Sequence, residues 1–197
     1  MDWKMEEQIV YSTTKSIIHK INNMYDESSR KAILAGLRNS IGRPLTENEN
    51  IISIFFENIP EEIVGRTGRL SWGEDAVLSA LQLYALYKQG ESEIKVQEES
   101  GNSMGTSLSF LRNTEDTKSA DRRFNAMITS TTLEEHKNHL RHLIKLLKSR
   151  EQSVNIDFAL LSKDLFKIAK GYKEEVALRW ARDYYRISKK GEEKDEK

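Results

Sequence analysis

The chain of 197 residues has no cysteine and only two prolines. The first absence removes disulfides, thiolate metal sites and a cysteine nucleophile, and it suits the cytoplasm. The second, together with only ten glycines, leaves room for long uninterrupted helices. No apolar run approaches the roughly 20 residues that span a bilayer, so no membrane association is expected. The opening MDWKMEEQIVYS carries early acids and no long apolar segment, so a secretory signal is not expected. Strand-like alternation is missing, and no unit of repeat length recurs.

Net charge is also missing, but only as a total. Residues 1–132 carry 15 Lys and Arg against 19 Asp and Glu, a net −4; residues 133–190 carry 14 against 8, a net +6; residues 191–197 carry 2 against 4, a net −2. A local positive patch is what meets a polyanion, whatever the total.

What is present is helical periodicity. Ile9, Ile17, Ile18 and Ile21 fall at helical spacings; Ile33, Leu34, Leu37 and Ile41 share a face behind Ser28 or Ser29 as N-cap, with Gly42 as a stop; GEDAVLSALQLYALYKQG reads as a buried helix. SADRRF and TTLEE resemble N-terminal capping signatures, with Ser119 and Thr132 as caps. The polar, acidic GESEIKVQEESG reads as a boundary. The expectation is an all-α protein of two small helical bundles with about eight or nine helices: an N-terminal domain over 1–95, a C-terminal bundle over 101–190, and a disordered tail, 191–197, after a stop at Gly191.

Two segments of the basic region are one-sided. On a helical wheel Val176, Trp180, Tyr184 and Ile187 form an apolar stripe, while Arg179, Arg182, Arg186 and Lys189 form a second stripe, with Asp183 between them and Tyr185 at the boundary. In 133–148, Leu133, Leu140, Leu143, Ile144 and Leu147 share one face and Lys137, Arg141, Lys145 and Lys148 another. A row of cations suits successive phosphates, each of which releases counterions when neutralised. The same rows also suit a plain solvated helix, and no zinc-finger spacing or sheet-type RNA-binding motif is present. Any nucleic-acid contact would be to the backbone.

Catalytic and metal constellations are not found. His136, His139 and His142 are spaced i+3, so His136 and His142 diverge by about 120° instead of sharing a face; His136 falls on the apolar side and His142 near the polar side. The acids Glu134, Glu135, Asp157 and Asp164 are expected at helix starts or exposed turns, where the helix dipole explains them. GRTGR, 65–69, lacks the Lys-Ser/Thr ending of a phosphate loop and reads as an ordinary loop, with phosphate contact by its two arginines as the other reading. Trp3, Trp72 and Trp180 are expected in the core. No enzyme, cofactor or metal is expected.

Five segments, ILAGLRNSIGRPL, GNSMGTSLSFL, DRRFNAMI, HLRHLIKLL and NIDFALLSKDLFKIAKGYKEEVALRWARDYYR, occur in this order over about residues 29–186. Together they resemble the CasB family, the small subunit of the type I-E CRISPR surveillance complex Cascade. The resemblance implies a non-catalytic all-α subunit in antiviral defence that touches guide RNA, target DNA and the displaced strand. It also implies partners: the backbone and large subunits of the complex and a second copy of the chain. By position it carries over Arg38, Arg122, Arg123, Arg141 and His142, with Arg179, Arg182 and Arg186 from the ending; several coincide with the stripes read from the wheel. A purely structural helical adaptor, whose cations meet acidic protein surfaces, is the alternative. A metal-dependent phosphohydrolase would need a converging ligand set.

Overall fold

The structure, a computed structural model, describes residues 2–90, 101–112, 116–150 and 154–192. Among these there are nine α-helices and no strand: α1 (Trp3–Asn22), α2 (Glu27–Asn39), α3 (Glu49–Phe56), α4 (Trp72–Tyr87), α5 (Met104–Ser109), α6 (Thr117–Thr129), α7 (Leu133–Lys148), α8 (Phe158–Ala169) and α9 (Lys173–Glu192), with short 3-10 turns at Leu45–Glu47 and Phe110–Arg112. The protein is all-α. The expected acidic boundary at 91–99 lies outside the described residues.

Local chemistry sets the helix starts. Ser71 and Glu74 form a reciprocal capping box at α4, and Thr132 caps α7 by accepting from the Glu135 amide at 3.1 Å. Two starts lie upstream of the serines expected to make them. Asp26 caps α2, accepting from the amides of Ser28 and Ser29 at 3.1 and 3.0 Å. Asp116 caps α6, accepting from the Ser119 amide at 3.3 Å. A carboxylate at the N-terminus accepts these bonds and also meets the positive end of the helix dipole.

The chain divides into two compact units. The first comprises Met1–Glu98 and Phe158–Lys170. Here α8 packs on α1 and α4, and α2 on α4. Ile17, Ile21, Leu37, Leu81, Tyr84, Leu165 and Phe166 are buried; Tyr84 meets Phe158 edge to face at 5.5 Å. Thr14 Oγ1 donates to Ser162 Oγ at 2.8 Å inside this core. Helix 158–169, expected within a bundle over 101–190, is thus part of the first unit. Its periodicity announced a helix, but its partners are far away in sequence.

The second unit comprises Glu99–Asp157 and Gly171–Lys197. Helices α5 and α9 approach so closely that a Cβ added at Gly105 would lie 2.1 Å from the Trp180 carbonyl oxygen. Trp180 is fully buried, with Phe124, Leu140 and Ile144 also in this core. Val176, Trp180 and Tyr184 are buried as the wheel required; the Ile187 side chain lies outside the described ones. Helix α9 runs through Gly191 to Glu192, so Gly191 does not stop it; residues 193–197 lie outside the description.

Candidate nucleic-acid interface

The second unit gathers ten of the eleven expected contact residues, on α6, α7 and α9. Arg38 is the exception: it sits in the last turn of α2, in the first unit, half-buried with Nη1 3.4 Å from the Ala85 carbonyl. Burial there lowers its pKa.

Helices α6 and α9 meet through stacked rings. Phe124 and Tyr184 lie parallel, 3.8 Å between centroids. Tyr184 Oη donates to Asp121 Oδ1 at 3.0 Å, and Tyr185 Oη to Asn125 Oδ1 at 3.0 Å. Burial first, then the Asp121 bond, raise the Tyr184 pKa far above the usual phenol value, so this hydroxyl stays a donor. Arg112 completes the seam. Its Nε is 2.9 Å from Asp121 Oδ1, and its guanidinium carbon lies 5.5 Å and 5.0 Å from the Tyr184 and Tyr185 ring centroids. A cation over aromatic faces and beside a carboxylate is held by both. Arg112 and Asp121 escaped the sequence reading, because each is one charge in an unremarkable segment and only the fold makes them a pair.

The cations outside this seam are placed by the same geometry. Arg122 lies about 160° from buried Phe124 on α6, and Arg182 and Arg186 each lie about 160° from buried Tyr184 on α9; all three are exposed. Arg122 is about 60° further from the core than Asn125, and Arg182 about 60° further than Tyr185. Both therefore face solvent on the outer side of one seam. Their acidic neighbours are turned away: Asp121 is committed to Arg112 and Tyr184, and Asp183 accepts from the Oγ of Ser103, the N-cap of α5. Among the described residues neither Arg122, Arg182 nor Arg186 has an ion-pair partner. Arg123 is exposed and donates to Ser119 Oγ.

Helix α7 is less uniform than its spacing suggested. Lys145 and His142 point to solvent, opposite Leu143, Ile144 and Leu140. Arg141 and Lys148 are half-buried along the flank of the apolar face. Lys137 is only 16% exposed and pairs with Glu134 at 2.7 Å, so its charge is already met. Arg179 on α9 is likewise half-buried.

The histidines diverge as their spacing required. His136 is buried, its Nδ1 3.0 Å from the Met127 carbonyl, and its ring is 5.6 Å from Trp180. Burial pulls its pKa down to about 4, so it is neutral and donates through Nδ1. His142 is exposed and His139 lies 3.9 Å from Glu135. No group of three or more His, Asp or Glu among the described residues is placed to hold a metal. In the first unit the GRTGR loop is pinned by the Gly65 amide, which donates to Glu74 Oε2 at 2.9 Å; Arg66 and Arg69 are exposed. No described helix is long and apolar enough to cross a membrane.

These features define an all-helical protein with exposed arginines on α6 and α9, of which Arg122, Arg182 and Arg186 have no ion-pair partner among the described residues. The chain belongs to the family described as CRISPR-associated protein Cse2, whose model matches residues 33–185. Its fold is similar to three solved structures. CasB from Thermobifida fusca is 20% identical, with 90% of this chain and 98% of that one covered and a TM-score of 0.67. CasB from M. ruber is 21% identical, with 91% and 96% covered and a TM-score of 0.69. A CRISPR-associated protein of the Cse2 family from Thermus thermophilus is 21% identical, with 91% and 97% covered and a TM-score of 0.63. No curated protein matches the chain.

Proposed function

We propose that this chain is the non-catalytic small subunit of a cytoplasmic type I-E Cascade complex. In this reading its arginine faces hold the phosphate backbone of guide RNA, target DNA or displaced strand. The chain also braces the backbone and large subunits beside a second copy of itself. Family membership supports the complex. The observation that carries the nucleic-acid contact is the seam of α6 and α9, where Arg122, Arg182 and Arg186 are exposed with no ion-pair partner among the described residues, while Asp121 pairs with Arg112 and Tyr184 and Asp183 accepts from Ser103. Such a surface reads charge spacing and not base identity.

The test is the triple substitution Arg122→Ala, Arg182→Ala, Arg186→Ala. Affinity for unrelated single strands and duplexes should fall about equally. The slope of log affinity against log salt should shrink by about 0.7–0.9 for each phosphate no longer neutralised. Circular dichroism should be unchanged, since no core side chain is touched. A folded triple variant with an unaltered slope would refute the contact. If that variant instead loses a protein subunit, the arginines serve an adaptor.

A further inference from the structure

The N-terminal unit holds a cleft of about 330 Å³ lined by none of the arginines of the α6–α9 seam. Ile63, Val64, Leu70 and Phe166 form its apolar walls, and Trp72 stands at its edge with 56% of its surface in water. The indole is exposed but held. It occupies the first position of α4, directly after the capping Ser71. Lys170 Nζ lies 5.1 Å from its ring centroid and 5.2 Å from that of Phe166, and is fixed in turn by Glu6 at 2.8 Å. The loop before Trp72 is tied to Glu74 through the amides of Gly65 and Ser71, at 2.9 and 2.6 Å. A rigid, half-wet tryptophan beside a concave apolar wall has the properties of an interface anchor.

The charge lining the cleft narrows the occupant. Glu6, Glu62 and Lys170 are the ionisable residues there. Glu6 and Lys170 neutralise each other. Glu62 is exposed and has no ion-pair partner among the described residues, so the uncompensated charge in the lining is negative. Arg66 and Arg69 sit on the neighbouring loop and do not line the cleft.

We propose that this cleft docks an extended segment of a partner protein, presenting one bulky apolar side chain to Trp72 and Phe166 and an adjacent lysine or arginine to Glu62. An unpaired carboxylate in the lining disfavours a phosphate backbone, so this surface is separate in kind from the arginine seam. It does not depend on the nucleic-acid reading.

The full chain can be probed by NMR through the indole N–H signals of its three tryptophans. The probes are N-acetyl-leucyl-arginine amide, N-acetyl-leucyl-glutamate amide and a twelve-nucleotide oligothymidine. The arginine probe should move the Trp72 signal and leave Trp180 in place, and the glutamate probe should bind more weakly. Glu62→Gln should erase that preference, a change of about two- to fivefold for an exposed charge pair. In Trp72→Ala, which lacks that indole reporter, saturation transfer from the protein to the arginine probe should vanish; if the variant fails to fold, Glu62→Gln carries the test. Equal shifts from both dipeptides would overturn the proposal. So would a Trp72 shift by the oligonucleotide alone, or one produced only by raising protein concentration, which would make the occupant a strand or a second copy.

Discussion

His136 packs beside Trp180 with its Nδ1 on a backbone carbonyl and its pKa pulled from 6.5 to about 4 by burial. Protonation therefore favours the unfolded chain. The stability this histidine protects is complete above the unfolded pKa near 6.5 and is lost as pH falls toward 4, in total about 3 kcal/mol. Thermal midpoints should decline between pH 6.5 and 5, where few carboxylates titrate, and His136→Leu should flatten that part of the profile. An unchanged slope in the variant would mean the ring is not buried as described. The sequence placed His136 on the apolar side correctly, because α7 has one clear apolar face. It misplaced Asp164 and Trp72. Asp164, expected at a helix start or exposed turn, is fully buried on α8, since α8 lies against both α1 and α4 and keeps little outward face. Trp72, expected in the core, opens α4 with 56% of its surface in water although Gly73 and Glu74 beside it are buried, because the first residue of the helix faces away from the side they pack.

Among the elements, the periodic ones were legible and the contacts between them were not. The buried stripe Val176, Trp180, Tyr184 and the outward stripe Arg182, Arg186 follow from a 100° step alone. What the step does not reveal is that Asp183 reaches Ser103 or that Arg112 closes the seam, because each partner lies in a distant segment; the Glu134–Lys137 pair, at i,i+3, is within its reach. Gly105 is the sharpest case at this scale. A glycine inside a six-residue helix looks like a weak spot, yet it is where α5 meets the backbone of α9, with the Trp180 Cα at 2.7 Å from any added Cβ. Gly105→Ala must push the helices apart, at about 1–3 kcal/mol or more for overpacking. Trp180→Ala should cost about 3–5 kcal/mol by leaving a cavity. Urea melts of both variants check this; a Gly105→Ala variant as stable as the parent would show that α5 and α9 are not in contact there.

The whole molecule depends on a crossing that no local pattern announces. After residues 99–157 the chain returns to the first unit for α8 and then goes back for α9. A boundary in the acidic stretch near 91–99 is a natural reading of composition, because polarity is a property of position along the chain and says nothing of which bundle a later helix joins. The consequence is physical: residues 1–98 by themselves lack the helix that covers α1 and α4. Without α8 the Tyr84 ring loses Phe158, Thr14 loses Ser162, and Glu6 and Glu7 lose Lys170 and Lys163, at 2.8 and 3.0 Å. The exposed surface on Ile17, Ile21, Leu81 and Tyr84 would be mostly apolar, and each such side chain left in water forfeits about 1.5–3 kcal/mol, against a total stability of about 5–15 kcal/mol for a domain. The fragment 1–98 should therefore show no cooperative thermal transition and should bind dyes that report exposed apolar surface. Joining 158–170 to it through a short Gly/Ser linker should restore a single transition, and Ser162→Leu in the joined form should weaken it by crowding the Thr14 contact. A fragment 1–98 that melts cooperatively without α8 would show that the first unit is complete before the chain returns to it.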